Sequence, residues 1–115
     1  MRIKIDDLNR EEFKQGPSYV IPREFFVDEK YKGLSSNAKI TYEIFISLIY
    51  PCAEHECIND NGEIYLHVNR EKLMHDLNIK AENEINKVIK ELKNANLIDE
   101  EAVHGVKVIY VHLIG

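Results

Sequence analysis

Three observations predict an α+β domain. Residues 70–95 read as a short helix, a tight break and a longer amphipathic helix. Two β-rich runs then flank His104-Gly105, a pair suited to a hairpin turn. Upstream, Ile64, Leu66 and Val68 alternate with Tyr65 and His67, the period of two that marks a half-buried strand. In this order the pieces predict a winged helix-turn-helix, with a three-helix core and a C-terminal β-hairpin wing.

The elements follow in chain order. Residues 1–18 form a polar, peripheral N-terminal arm that ends at the break Gly16-Pro17, with a short helix expected over Asp6 to Phe13. Tyr19-Val20-Ile21 looks like a short strand closed by Pro22, and Phe25 and Phe26 both offer apolar surface to the core. Ser35 or Ser36 caps the first long helix, which should stop at Pro51. Residues 52–62 are a polar loop, and the strand at 64–68 follows. Asn69 is placed to cap a helix over Arg70 to Leu77 that buries Leu73, Met74 and Leu77. Asn78-Ile79-Lys80 is the turn before a helix over Ala81 to Ala95. Asn96 suits a left-handed position after that helix. Leu97-Ile98 then begins one strand of the wing, and residues 106–111 form the other.

A chain of 115 residues with 44% hydrophobic side chains can bury one core without help from metal or disulfides. Residues 19–115 are assigned to that one domain. No apolar run approaches the roughly 20 residues of a membrane helix, and the N-terminus lacks the apolar stretch of a secretion signal. A cytoplasmic location is expected, with no membrane partner and with Cys52 and Cys57 as reduced thiols.

The net charge is −5, from 20 acidic and 15 basic side chains. Many DNA-binding domains are basic as a whole, yet whole-chain charge does not dictate local surface. Residues 52–63 carry four acids and no base, and the wing carries Asp99, Glu100 and Glu101 against Lys107. Residues 79–94 differ, with Lys80, Lys87, Lys90 and Lys93 against Glu82, Glu84 and Glu91.

Each helical residue turns by about 100°. With Ile85 at the centre of the buried face, Ala81, Val88, Ile89 and Leu92 share it. Asn83, Lys87, Lys90 and Asn94 then point outward, flanked by Lys80 and Asn86. Lysine neutralises phosphate, and asparagine can pair with adenine through two hydrogen bonds in the major groove. An ordinary solvated face has the same composition, so pattern alone weighs both equally.

Cys52, His55 and Cys57 cluster on one loop, but a structural zinc site needs four ligands and usually paired spacing. The expected metal and cofactor content is none. The five glycines are scattered, with no phosphate-cradling loop, and no nucleophile signature surrounds either cysteine. An enzyme is not expected.

Several segments resemble the N-terminal domain of plasmid replication initiator A proteins from low-GC Gram-positive bacteria. They are Tyr19-Val-Ile-Pro-Arg-Glu-Phe-Phe26, Tyr31-Lys-Gly-Leu-Ser-Ser-Asn-Ala-Lys39 with Tyr42, and Asp60-Asn-Gly-Glu-Ile-Tyr65. Arg70-Glu71 with Leu73-Met74 and Leu77, Lys87-Val-Ile-Lys-Glu-Leu92, Leu97-Ile98 and Ile109-Tyr-Val111 complete the match. The resemblance implies a winged-helix domain that binds repeated sites in a plasmid origin, usually as a dimer. Lys87 and Lys90 match lysine positions of the family's recognition helix. The wing departs from the family pattern, because Ala102 to Lys107 stands where a basic, glycine-rich turn is usual. The start of the helix is also more acidic than the family's, at Glu82 and Glu84. The family's C-terminal region has no counterpart in the 115 residues.

The expected function is therefore sequence-specific binding of double-stranded DNA at origin repeats, by a homodimer. In this reading Asn83 and Asn86 read bases while Lys80, Lys87, Lys90 and Lys107 meet phosphate. Asn94 extends the ridge, and Arg70 anchors the preceding helix across the DNA backbone. Host replication proteins are candidate further partners. The rival readings on the same fold are a protein-interaction adaptor, which the acidic charge favours, and a transcriptional regulator.

Overall fold

Local hydrogen bonds to side chains and to left-handed residues set where the helices begin and end. The computed structural model describes residues 1–10, 13 and 19–114. A 3-10 turn at Ile5–Asn9 precedes two single-turn helices, α1 (Glu24–Val27) and α2 (Glu29–Lys32). The long α3 (Ser36–Glu54), β1 (Tyr65–Leu66), α4 (Arg70–Asp76) and α5 (Glu82–Asn94) follow, then β2 (Ile98–Val103) and β3 (Val106–Val111).

Ser35 Oγ accepts the Ala38 N–H at 3.1 Å, and Asn69 Oδ1 accepts the Lys72 N–H at 3.1 Å, so both expected N-caps are present. The three core helices end alike. Glu56, Asn78 and Asn96 take positive φ, at 61°, 55° and 59°. The next N–H reaches back to the fifth residue before it: Cys57 to Cys52, Ile79 to Met74 and Leu97 to Leu92. This is the Schellman closure, which satisfies the last carbonyls of a helix. After α4 it also turns the chain sharply into α5, which makes the helix-turn-helix.

The sheet is antiparallel in the order β1-β3-β2. Tyr110 on β3 lies opposite Tyr65 on one side and Asp99 on the other. His104 and Gly105, at φ 52° and 80°, form the expected tight turn between β2 and β3. Ile85, Val88, Ile89 and Leu92 of α5 pack into one core with Ala38, Phe45 and Ile49 of α3, Leu73 of α4, and Ile64 and Leu66 at the first strand. The buried stripe of α5 matches the periodicity of its sequence. No described helix is long and apolar enough to cross a membrane.

Six local expectations need correction. The start of the arm is not peripheral. Ile3 is fully buried, its N–H donates to Val111 O at 2.9 Å, and its carbonyl accepts from Ile64 N at 3.0 Å. Tyr19 to Ile21 form no strand, because residues 2–4 occupy the pairing positions beside Glu63, Ile64 and His112. Phe25 is buried edge-on against Tyr31 and Tyr42, whereas Phe26 is 54% exposed, since a single helical turn aims consecutive side chains apart. α3 runs through Pro51 to Glu54. Only one turn follows the proline, and Cys52 and Ala53 in that turn pack on the core. The polar loop therefore starts later than residue 52. Finally, the described start of the expected arm helix is a 3-10 turn at Ile5–Asn9, while residues 11 and 12 of that helix and the Gly16-Pro17 break lie outside the described residues.

Candidate nucleic-acid interface

α5 begins at Ala81, whose side chain cannot cap, and Glu82 and Glu84 lie in its first turn. Acid there suits the positive end of a helix dipole, which gives the departure at this position a local physical cause. Asn83, Lys87, Lys90 and Asn94 are all exposed along one outward row, with Lys80 exposed just before the helix. Among the described residues, Lys80, Lys87 and Lys90 have no ion-pair partner. The remaining acid of this helix, Glu91, faces the start of α3 and accepts from Ser35 N at 2.7 Å and Ser35 Oγ at 2.8 Å. The lysines of the outward row are thus paired with no carboxylate of their own helix, whose two exposed acids, Glu82 and Glu84, sit at its start.

The acidic strand of the wing is paired from both faces. Side chains alternate along β2. Asp99 and Glu101 share the face where Arg2 lies, and the Arg2 Nε–Asp99 Oδ2 distance is 2.9 Å. The guanidinium also reaches Glu63 at 3.2 Å and lies 3.9 Å from the centroid of the Tyr110 ring. Burial lowers the pKa of Arg2, but the carboxylates of Glu101, Asp99 and Glu63 outweigh burial and raise it. His112 Nε2 sits 2.7 Å from Asp99 Oδ2. Burial pushes the Asp99 carboxyl up, yet the hydrogen bonds from His112 and Arg2 prevail and hold it below its ordinary value. Glu63 is also held low, first by the Asn59 amide and then by Arg2, against partial burial.

Glu100 takes the opposite face of β2, toward the helices. Its side chain is only 12% exposed and meets Lys93 of α5 at 3.0 Å, Arg70 of α4 at 3.9 Å and Lys107 of β3 at 3.9 Å. Arg70 also donates from Nη1 to Asn86 Oδ1 on α5. One carboxylate therefore ties the first helix of the motif, the second helix and the wing together. Of the candidate site residues, Asn83, Lys87, Lys90 and Asn94 form the open row, with Lys80 beside it. Arg70, Asn86 and Lys107 belong to the adjoining network around Glu100. Arg2, Glu63 and Glu100 carry structural weight that sequence reasoning missed. Strand alternation could have separated Glu100 from Asp99 and Glu101, but nothing local indicates that Arg2 pairs 97 residues away.

Cys52 and Cys57 are free thiols, with burial pushing the Cys52 thiol up. Among the described residues no group of three or more His, Cys, Asp or Glu side chains could hold a metal ion.

Fold and surface together define the class: a winged-helix domain with an open row of lysine and asparagine on the second helix of its helix-turn-helix. The chain belongs to the family described as Replication initiator protein A (RepA) N-terminus, which matches residues 18–114. Solved structures agree. One described as an MDR initiator is 25% identical, with a TM-score of 0.76, covering 100% of this chain and 88% of that one. A Rep–DNA complex is 26% identical, with a TM-score of 0.73, covering 98% and 84%. An N-terminal domain of a DNA binding protein is 26% identical, with a TM-score of 0.75, covering 98% and 83%. No curated protein is significantly similar in sequence.

Proposed function

We propose that this domain binds double-stranded DNA as the N-terminal domain of a plasmid replication initiator, with α5 in the major groove at repeated origin sites. One observation carries the reading. The outward row Asn83, Lys87, Lys90 and Asn94 is open and its lysines have no ion-pair partner among the described residues, while Glu91 of α5 and the acids of the wing are engaged within the protein and only Glu82 and Glu84 stay exposed, in the first turn. In this arrangement Lys80, Lys87 and Lys90 meet phosphate, Lys107 meets it from the wing, and Arg70 steadies α4 beside the DNA backbone. Asn83 and Asn86 face base edges. Residues 19–115 are the binding unit, and residues 1–18 are an arm whose first residues anchor on its sheet. The protein acts without catalysis, in the cytoplasm.

The test is a titration against duplexes carrying the origin repeats of the encoding replicon, at several salt concentrations. A contact set of about five phosphates predicts a log–log slope near −4.5, at about −0.9 per phosphate. Lys87→Glu with Lys90→Glu should flatten the slope by about 2 and abolish binding near physiological salt. The same pair should leave stability within about 0.5 kcal/mol, because both side chains are exposed. Undiminished DNA affinity in that variant refutes the assignment of this face.

The net charge of −5 favours a second reading, a protein-binding adaptor on the same fold. An adaptor shows no DNA affinity even at low salt. The working unit in the leading reading is a homodimer, since two copies on repeated sites supply the affinity that one small domain lacks. A sedimentation boundary that stays monomeric at high micromolar concentration counts against the dimer. Host replication proteins are further partners in this reading.

A further inference from the structure

The geometry points to Arg70 as a positioning residue that restricts which base Asn86 can read. The inference rests on the DNA-binding reading above and deepens it. Asparagine owes its preference for adenine to two groups used at once: Oδ1 accepts from adenine N6 while Nδ2 donates to N7. In this protein Oδ1 of Asn86 is already engaged, because it accepts from Nη1 of Arg70. The orientation of the amide is set by chemistry. A guanidinium has five donors and no acceptor, so only the oxygen of the amide can face it.

Arg70 is itself held from behind. Its Nη2 lies 3.9 Å from Glu100 Oε2, and Glu100 is anchored by Lys93 at 3.0 Å. The arginine is thus fixed between a carboxylate on the wing and an amide on α5. Asn86 remains exposed, and among the described residues its Nδ2 has no protein partner. What it turns outward is a donor. Guanine offers O6 and N7, and thymine offers O4, as acceptors for such a group. Adenine N6 must share Oδ1 with the cationic donor already on it, which weakens the second half of the usual pair, and cytosine presents only a donor in return. Asn83 has no such constraint, so the two asparagines of this helix differ in the bases they select.

The test is selection from a randomised duplex library by the wild-type domain, Asn86→Ala and Arg70→Ala, with thermal melts to confirm that each is folded. The position read by Asn86 is the one whose preference collapses in Asn86→Ala. At that position the wild type should select guanine or thymine. Arg70→Ala should bind more weakly at every sequence, yet raise adenine relative to guanine on the order of tenfold, the worth of a restored bidentate pair. A purely structural arginine would lower affinity and leave base choice unchanged. Adenine selected by the wild type, or the same choice in wild type and Arg70→Ala, overturns the inference and leaves DNA binding intact. A defined motif that Asn86→Ala reads unchanged also overturns it. No duplex enriched by the wild type at any salt concentration overturns the DNA-binding reading itself.

Discussion

Glu100→Gln should move stability and DNA affinity in opposite directions. The wild-type carboxylate sits among Arg70, Lys93 and Lys107, so the local charge is three cations less one anion, or +2, and the amide makes it +3. Folding loses one ion pair at 3.0 Å and two looser ones at 3.9 Å. Pairs of this kind near the surface contribute about 0.2–1 kcal/mol each, and glutamine keeps an acceptor for Lys93, so the net loss is about 1 kcal/mol. For a domain of this size that lowers Tm by about 4 °C. Binding changes the other way. A phosphate about 8 Å from the lost carboxylate is relieved of about 0.5 kcal/mol of repulsion in water. A lysine released to phosphate adds about −0.9 to the salt slope. Calorimetry and fluorescence anisotropy at three salt concentrations should therefore report a lower Tm, DNA affinity raised about two- to tenfold near 0.1 M salt, and a steeper slope. A fall in affinity that parallels the loss of stability would refute the reasoning, because Glu100 would then act only as a scaffold.

Other perturbations should separate the remaining parts of the structure. Leu92→Ala empties a fully buried position of α5 and should cost about 2–5 kcal/mol in chemical denaturation, with DNA affinity unchanged while the domain is folded. Gly105→Ala meets no atom within 4 Å but forces a side chain onto φ +80°, so a loss of about 1–2 kcal/mol should come from strain alone. Asp99 and Glu63 are held below their ordinary pKa values, so their stabilisation is complete above about pH 4.5 and is lost as pH falls through the folded values. Melting from pH 6 to pH 2 should show this acid limb. Arg2→Met should flatten it and lower Tm at neutral pH; an unchanged limb would mean that Arg2 does not set these carboxylates.

Much of this protein was decided within a few residues of chain. Asn69 caps α4 because its side chain reaches an N–H three residues on. Asn78 and Asn96 end helices because asparagine tolerates a left-handed backbone, and His104-Gly105 turns the wing for a related reason. The buried stripe of α5 repeats with the helix, so its opposite ridge of Asn83, Lys87, Lys90 and Asn94 was legible as well. These are short-range effects, and a linear sequence displays them directly. Tertiary contact decided the rest. It buried Ile3, exposed Phe26, carried α3 past Pro51, and turned an acidic strand into a paired one by bringing Arg2, Lys93 and Arg70 against it. Charge is counted along a chain but cancels through space, so the surface left to meet DNA depends on partners as far apart as residues 2 and 99.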